Sequence, residues 1–384
     1  MTLSKRTDIF AKRSRRSGKK GVSEPTMAVH QFHPQVAYGD AASNQVLSLQ
    51  TLLRDLGHKS EIFCEQQPFL FEGRSHSIAR YRRHSSPDNV LLLHLTLNYS
   101  DAVMSWLRRI PDRKVLVYHN ITPHAFFAGV NAPFADAARR GRRQLDQLRD
   151  VCVAGWGVSA FNCGELAEHG WSNLRVMPIV FDPARYAVRP DGSVRDRIGD
   201  GRPNVLFVGR TAPNKRLEDL IVTFFYLKRF VMPDARLLLV GGQGRMDRYV
   251  AFLDTLVEEL GLEDVIRPGH VRNAELMAYY QCASCYVSMS EHEGFGVPFL
   301  ESMHFNVPIV AYDATAVRET LGGSGILVRR KEYSKVAELI GLLIADEDLR
   351  SRIVAGQRAR LEDFLPARAK ERLRMLLKDV LNRQ

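Results

Sequence analysis

Short apolar runs alternate along this chain with longer stretches whose apolar residues recur every three or four positions. In the first half the runs are residues 27–32, 60–64, 90–95, 114–119, 151–153 and 175–178. Runs this short, bounded by turn residues, read as buried parallel strands, and the periodic stretches between them as crossover helices. The first helix is expected over 42–56, with Gly57 closing it in a left-handed cap. Residues 183–203 hold Pro183, Pro190, Asp191, Gly192, Gly199, Asp200, Gly201 and Pro203, which predict a linker. The strand pattern then restarts at 204–208, 236–240, 265–267, 286–289, 308–312 and 325–328. Three helical stretches finish the chain, the last at 367–381. The expected fold class is therefore α/β, with two Rossmann-like domains, 26–190 and 204–365. Segment 366–384 is expected to pack back on the first. Such sheets bind ligands outside the carboxyl ends of their strands, and a domain interface is a preferred pocket. Candidate chemistry is therefore sought just after each strand.

Composition narrows the picture. A chain of 384 residues exceeds one ordinary core, and 45% hydrophobic with 25% charged residues is a globular balance. No apolar run approaches the roughly 18 residues of a membrane span. The first twenty residues lack a signal-like apolar segment, so the expected location is cytoplasmic. Formal charge is +11, much of it in a basic head where Lys5, Arg6, Lys12, Arg13, Arg15, Arg16, Lys19 and Lys20 face Asp8 alone. Segment 1–25 therefore reads as disordered, suited to an anionic membrane surface or weak, non-specific nucleic-acid contact. The remainder is nearly balanced and carries no nucleic-acid motif, so no specific nucleic-acid partner is expected. Cys282 and Cys285 form a C-x-x-C, but no second pair accompanies it and Cys285 opens an apolar strand. No metal is expected there.

Six strand ends carry candidate residues. Run 204–208 leads to Gly209-Arg210-Thr211 and then Lys215, two cations suited to a diphosphate; the alternative is a solvated loop. Run 286–289 leads to Glu291-His292-Glu293-Gly294-Phe295-Gly296-Val297-Pro298 and a helix bearing Glu301. The glycines allow close backbone approach, the helix start offers free N–H groups, and the two carboxylates can accept hydroxyls. Alternatively, Glu293 is a loop charge and Glu301 favours the first helical turn. Run 114–119 delivers His119 and Asn120, and His94 ends the run before it. Such histidines orient a reacting group or merely satisfy loop carbonyls. Gly39, after the first strand, is a candidate for phosphate approach or a plain turn glycine. Gly241-Gly242-Gln243-Gly244 reads as a tight turn near the same ligand. Arg139, Arg140, Arg142, Arg143 and Arg149 form a basic helix after Phe126-Phe127, suited to a membrane surface or simply solvated.

Gly209-Arg210…Lys215 followed by Glu293-Gly-Phe-Gly-Val-Pro…Glu301 resembles the GT-B fold retaining glycosyltransferases of family 4. Segment 204–328 resembles their donor domain. The YHNITP stretch and the helix opening at Gly39-Asp40-Ala41 resemble the acceptor domain of bacterial members that build surface polysaccharides. The resemblance implies a hexose moved from a nucleoside-diphosphate sugar to a saccharide or lipid-linked saccharide. It implies Arg210 and Lys215 on the diphosphate, Glu293 on the donor sugar and Glu301 on the ribose. Gly294, Phe295, Gly296 and Val297 would lie beside sugar and phosphate, His270 and Val271 beside the base, and His119 near the anomeric centre. His94, Asn120, Phe126 and Phe127 would belong to the acceptor side. The family often has paired glycines where this chain has Tyr38-Gly39-Asp40, and a glycine where it has Arg216.

Leaving-group charge is expected to be met by Arg210, Lys215 and the helix start, without metal or other cofactor. No carboxylate pair clearly brackets the sugar carbon for double displacement, and front-face substitution, with the donor phosphate helping to take the acceptor's proton, is what the resemblance implies. Competing readings are a sugar-nucleotide epimerase or hydrolase of the same fold, and a non-catalytic sugar-nucleotide-binding protein. A peripheral position on the inner face of the cell membrane is a further expectation from the basic head and helix.

Overall fold

The computed structural model describes residues 27–35, 40–66 and 74–382. Two parallel sheets make up the fold. The first holds seven strands: β1 (Val29–Phe32), β2 (Ile62–Cys64), β3 (His76–Ser77), β4 (Val90–Leu95), β5 (Arg113–Tyr118), β6 (Ala154–Gly157) and β7 (Leu174–Val176), in the order β3-β2-β1-β4-β5-β6-β7. The second holds β8 (Asn204–Val208), β9 (Arg236–Val240), β10 (Val265–Gly269), β11 (Cys285–Ser288), β12 (Ile309–Tyr312) and β13 (Ile326–Val328), in the order β10-β9-β8-β11-β12-β13. In both, the order reverses beside the first strand, which opens a crevice at the carboxyl edge. All six residues of β4 are buried, as helices on both faces of a parallel sheet require.

The helix Ala41–Asp55 starts where the Asp40 side chain accepts from the Ser43 amide at 3.0 Å and ends before Gly57 at φ +88. The chain's last described helix, Pro366–Leu381, crosses back to the first sheet. Its Leu373, Leu377 and Val380 join Val29, Leu49, Leu92 and Val115 in one buried cluster. Arg175 pairs with Asp379 at 2.7 Å beside it.

Three details depart from the sequence expectations. The strand expected at 151–153 lies at Ala154–Gly157, because Cys152 bonds back to the preceding helix through Leu148. Glycines at 155 and 157 hide a strand that hydrophobicity alone misses. The linker is partly helical over Gly192–Ile198, with Asp191 capping it and Val194 and Ile198 buried. The two-residue edge strand His76–Ser77 has no hydrophobic signal. The basic head lies outside the described residues.

Candidate active site

The carboxyl end of the second sheet gathers the charged candidates. Gly241 has φ +148, and a Cβ there would fall 1.9 Å from the Gly209 carbonyl, so the loops after β8 and β9 touch only because Gly241 has no side chain. Arg210, on the first of these loops, is exposed and makes no ion pair among the described residues. A turn over Pro213–Lys215 comes next, and Arg216 takes a left-handed conformation at φ 50 before the helix Leu217–Tyr226. The resemblance drawn from the sequence places a glycine at this position. Arg216 bears the left-handed strain, roughly 1–2 kcal/mol, while its guanidinium pairs with Asp219 at 3.0 Å and Glu218 at 2.9 Å.

Lys215 Nζ lies 2.7 Å from Glu293 Oε1, and the two side chains are only 18% and 12% exposed. Residues 78 positions apart thus meet as one charge-assisted pair. Asn214 stitches their loops together: its carbonyl accepts from the Glu291 amide at 2.9 Å and its side chain donates to the His292 carbonyl at 3.0 Å. Thr315, left-handed at φ 49, clasps Glu293 from the loop after β12. Its hydroxyl accepts from the Glu293 amide at 2.9 Å and donates to the Glu293 carbonyl at 2.8 Å. Gly296, at φ 93, turns the chain into the helix Val297–His304, with Pro298 in the first turn. Phe295 buries its ring against Phe364, which leaves only backbone at the cleft.

Glu301 is already partnered in this structure. It is 8% exposed, and both oxygens already accept hydroxyls: Oε1 from Tyr186 at 2.7 Å and Oε2 from Tyr280 at 2.6 Å. Burial raises this carboxyl above the usual range, and the two tyrosines partly oppose the shift. In this state Glu301 ties the linker to the second domain. His270 is exposed and Val271 half-buried just past Gly269, whose φ is +77. The His270 Cβ lies 3.8 Å from where a Cβ on Gly242 would sit, so the glycine turn and the loop after β10 adjoin.

The first sheet brings neutral imidazoles to the facing edge. His94 Nδ1 lies 2.9 Å from His119 Nε2, and His94 Nε2 lies 3.0 Å from Gln31 Oε1. The His33 ring lies 6.2 Å from that of His94, and both its nitrogens are buried without a partner. Burial, then the neighbouring rings, holds His94 well below its ordinary value, and burial takes His119 down to about 3. His33 and Gln31 escaped the sequence reading because nothing in a lone strand residue says what its side chain meets.

Several acceptor-side candidates make contacts of their own within the chain. Asn120, at φ 86, donates to Asn162 Oδ1 at 3.0 Å and Glu165 Oε2 at 2.6 Å. Its side chain fixes the loop after β5. Phe127 is buried against Phe134 in the core that continues into the second domain, and Phe126 packs on His292 with rings 6.0 Å apart. These aromatics join the domains, so they do not form a membrane-facing pair. The basic helix, Ala132–Arg149, is likewise not one solvated face: Arg142 turns inward to Glu165 at 2.9 Å, while Arg139, Arg140 and Arg143 remain exposed. Gly39 lies outside the described residues. Beside this helix, Gln35, Glu65, Gln66, Asn98, Asp101 and Arg140 line a polar cleft of about 430 Å³.

The two edges meet at Gly294. A Cβ there would fall 2.4 Å from Asn120 Cβ and 2.8 Å from the His119 carbonyl, so the glycine lets the domains close on each other. Ser159 Oγ donates to the Gly294 carbonyl at 2.9 Å, and the Ala160 amide donates to Glu319 at 2.7 Å. His119 and Glu293 are thereby on neighbouring loops. Among the described residues no group of three or more metal-ligating side chains gathers, and the cysteines are free. The chain contains one Asp-x-Asp triplet, Asp346-Glu347-Asp348. Asp346 caps a helix, accepting from the Leu349 amide at 2.9 Å. Its neighbours Ile344 and Arg350 line a pocket with Pro308, at the amino end of β12.

Residues 191–360 match the family model described as glycosyl transferases, group 1. The match covers the second sheet and the helices around it. The chain is 29% identical over 262 residues to D-inositol 3-phosphate glycosyltransferase of Nocardia farcinica, covering 64% of this chain and 57% of the relative. It is 30% identical over 202 residues to a GDP-mannose-dependent alpha-(1-6)-phosphatidylinositol monomannoside mannosyltransferase of Mycolicibacterium smegmatis, covering 49% of this chain and 50% of the relative. The matches therefore span little more than half the length of these relatives. Among solved structures, Anabaena HepE in complex with UDP and glucose superposes with a TM-score of 0.72 over 92% of this chain and 100% of that one, at 17% identity. Sucrose-phosphate synthase from Thermosynechococcus elongatus gives 0.73 over 93% and 100%, at 16% identity. The fold is GT-B: two Rossmann-like domains facing across a cleft. No described helix is long and apolar enough to cross a membrane.

Proposed function

We propose that the protein is a retaining, metal-independent glycosyltransferase of family 4 that moves a hexose from a nucleoside-diphosphate sugar to a saccharide or lipid-linked saccharide. The observation that carries this reading is the Lys215–Glu293 pair held against the His119 loop across Gly294. It supplies a cation for a diphosphate and a carboxylate for sugar hydroxyls within one water-poor seam. Arg210 and the amides at the start of helix Val297–His304 add positive potential where the leaving group gains charge. The acceptor oxygen bonds to the anomeric carbon on the face from which the diphosphate departs. Its proton passes to the departing phosphate oxygen, so configuration is kept. The polar cleft beside Arg140 suits a hydroxyl-rich acceptor. Relatives named as mannosyltransferases, including an O-antigen chain mannosyltransferase of Escherichia coli, favour a hexose and a surface-polysaccharide role. The exposed Arg139, Arg140 and Arg143 favour an anionic membrane surface as a further partner.

A thermal-shift screen against UDP, GDP, ADP and CMP in EDTA tests the donor half. One diphosphate is expected to stabilise the fold by about 2.7 kcal/mol at a hundredfold excess over its Kd, and Arg210→Ala to lose the effect. Transfer assayed with that nucleotide's sugars, with the product's anomeric configuration read by NMR, tests the rest. An inverted product, or a strict need for a divalent ion, would overturn the mechanism.

A further inference from the structure

His119 is held by a chain of hydrogen bonds whose direction is fixed from one end. Gln31 Nε2 lies 2.9 Å from the Val46 carbonyl in the helix Ala41–Asp55. A carbonyl oxygen only accepts, so this end of the amide is the NH₂. The other end, Oε1, therefore faces His94 Nε2 at 3.0 Å. An amide oxygen also only accepts, so His94 Nε2 carries a hydrogen. His94 is fully buried and neutral, so its Nδ1 keeps a lone pair. That lone pair lies 2.9 Å from His119 Nε2, which must then be the donor. His119 is neutral as well, so its second nitrogen, Nδ1, keeps its lone pair and has no hydrogen-bond partner among the described residues. His33, whose ring lies nearest to His94 on the other side, makes no hydrogen bond that would reverse the chain.

We propose that Gln31 and His94 are positioning residues that lock His119 in the Nε2–H tautomer, presenting its Nδ1 as an acceptor for a hydroxyl of the reacting sugar. The role given to the sugar rests on the glycosyltransferase reading; the tautomer itself does not. In this tautomer His119 takes a hydrogen bond from a hydroxyl and cannot donate one to the leaving phosphate, which leaves that task to Arg210 and Lys215. The anchor of the relay is a main-chain carbonyl, so the direction cannot flip without breaking a buried bond.

Long-range ¹H–¹⁵N NMR of the [¹⁵N]histidine-labelled protein reads the tautomer directly, with the His119 signals identified by their loss in His119→Ala. The expected wild-type spectrum shows His119 and His94 both protonated at Nε2. In Gln31→Met, His94 loses its fixed acceptor and His119 is expected to show a mixture of tautomers. In that variant kcat for sugar transfer should fall roughly tenfold or more, as wrong-tautomer variants of catalytic histidines do, with KM for the donor almost unchanged. A wild-type His119 protonated at Nδ1, or a His119 tautomer unmoved in Gln31→Met, would overturn the relay. If Gln31→Met does not fold, the wild-type spectrum still decides, and His94→Phe gives a second variant. The expected spectrum without transfer to any acceptor would sink the enzymatic reading while upholding the relay.

Discussion

The two facing edges of this molecule are built from opposite materials. On the second domain the site is charged: Lys215 meets Glu293, and Arg216 meets Glu218 and Asp219, on loops with tight glycine or left-handed turns. On the first domain the site is neutral, with the His33 and His94 imidazoles and the Gln31 amide buried and His119 half-buried at the ends of β1, β4 and β5. Their difference comes from burial. Lys215 and Glu293 meet as a pair at 2.7 Å, whereas desolvation lowers the imidazoles at the end of the first sheet, and Asp40 opposes it only in part at His33 and His119. The lesson is a division of labour. One edge holds fixed charge, and the other holds directed hydrogen bonds.

The largest effect that would break the comparison is on the charged side. Glu293→Gln keeps the shape, removes the partner of Lys215 and should lower transfer by about a thousandfold, in line with losing one preorganised electrostatic contact; kcat/KM would show it. Next, Gly294→Ala should reduce kcat on the order of a hundredfold, because the new Cβ overlaps Asn120 and holds the edges about an ångström apart. Small-angle scattering with donor bound should show a more open particle.

Acid should separate the edges without mutation. His292, packed between Phe126 and Phe161 at the domain seam, is held down to about 4 by burial, and its ring nitrogens lack partners. Between pH 6.5 and about 4 the unfolded chain takes a proton that the folded one refuses. Stability therefore falls as pH falls through that window, by about 1.4 kcal/mol per pH unit for this group. Urea midpoints at pH 7 and pH 5 should differ less in His292→Phe than in the wild type. Tyr280→Phe should cost about 1–2 kcal/mol in the same assay, since it strips one donor from the buried Glu301 carboxylate. Smallest of all, Arg216→Gly should leave stability within about 1 kcal/mol, because relief of the left-handed strain offsets the lost, partly exposed ion pairs.

Much of this was legible in the residues. Alternating runs gave two parallel α/β domains, because a strand buried on both faces must be apolar throughout. Residues Glu293 to Glu301 announced a loop, a glycine turn and a helix start, since each step is local. Strand β6 escaped because Gly155 and Gly157 carry no hydrophobic signal, and residues 183–203 hid a helix because turn formers also cap helices. The site divides the same way. Sequence by itself determined which side chains arrive at the carboxyl edges, because the residues next along the chain must emerge where a strand ends. Only the tertiary structure decided what they meet: that Glu301 is bound by Tyr186 and Tyr280, that Asn120 serves Glu165, and that Gln31 reaches His94. Those partners lie between 21 and 115 positions apart. Contact at such separations is set by how sheets twist and domains close, which no local pattern along the chain records.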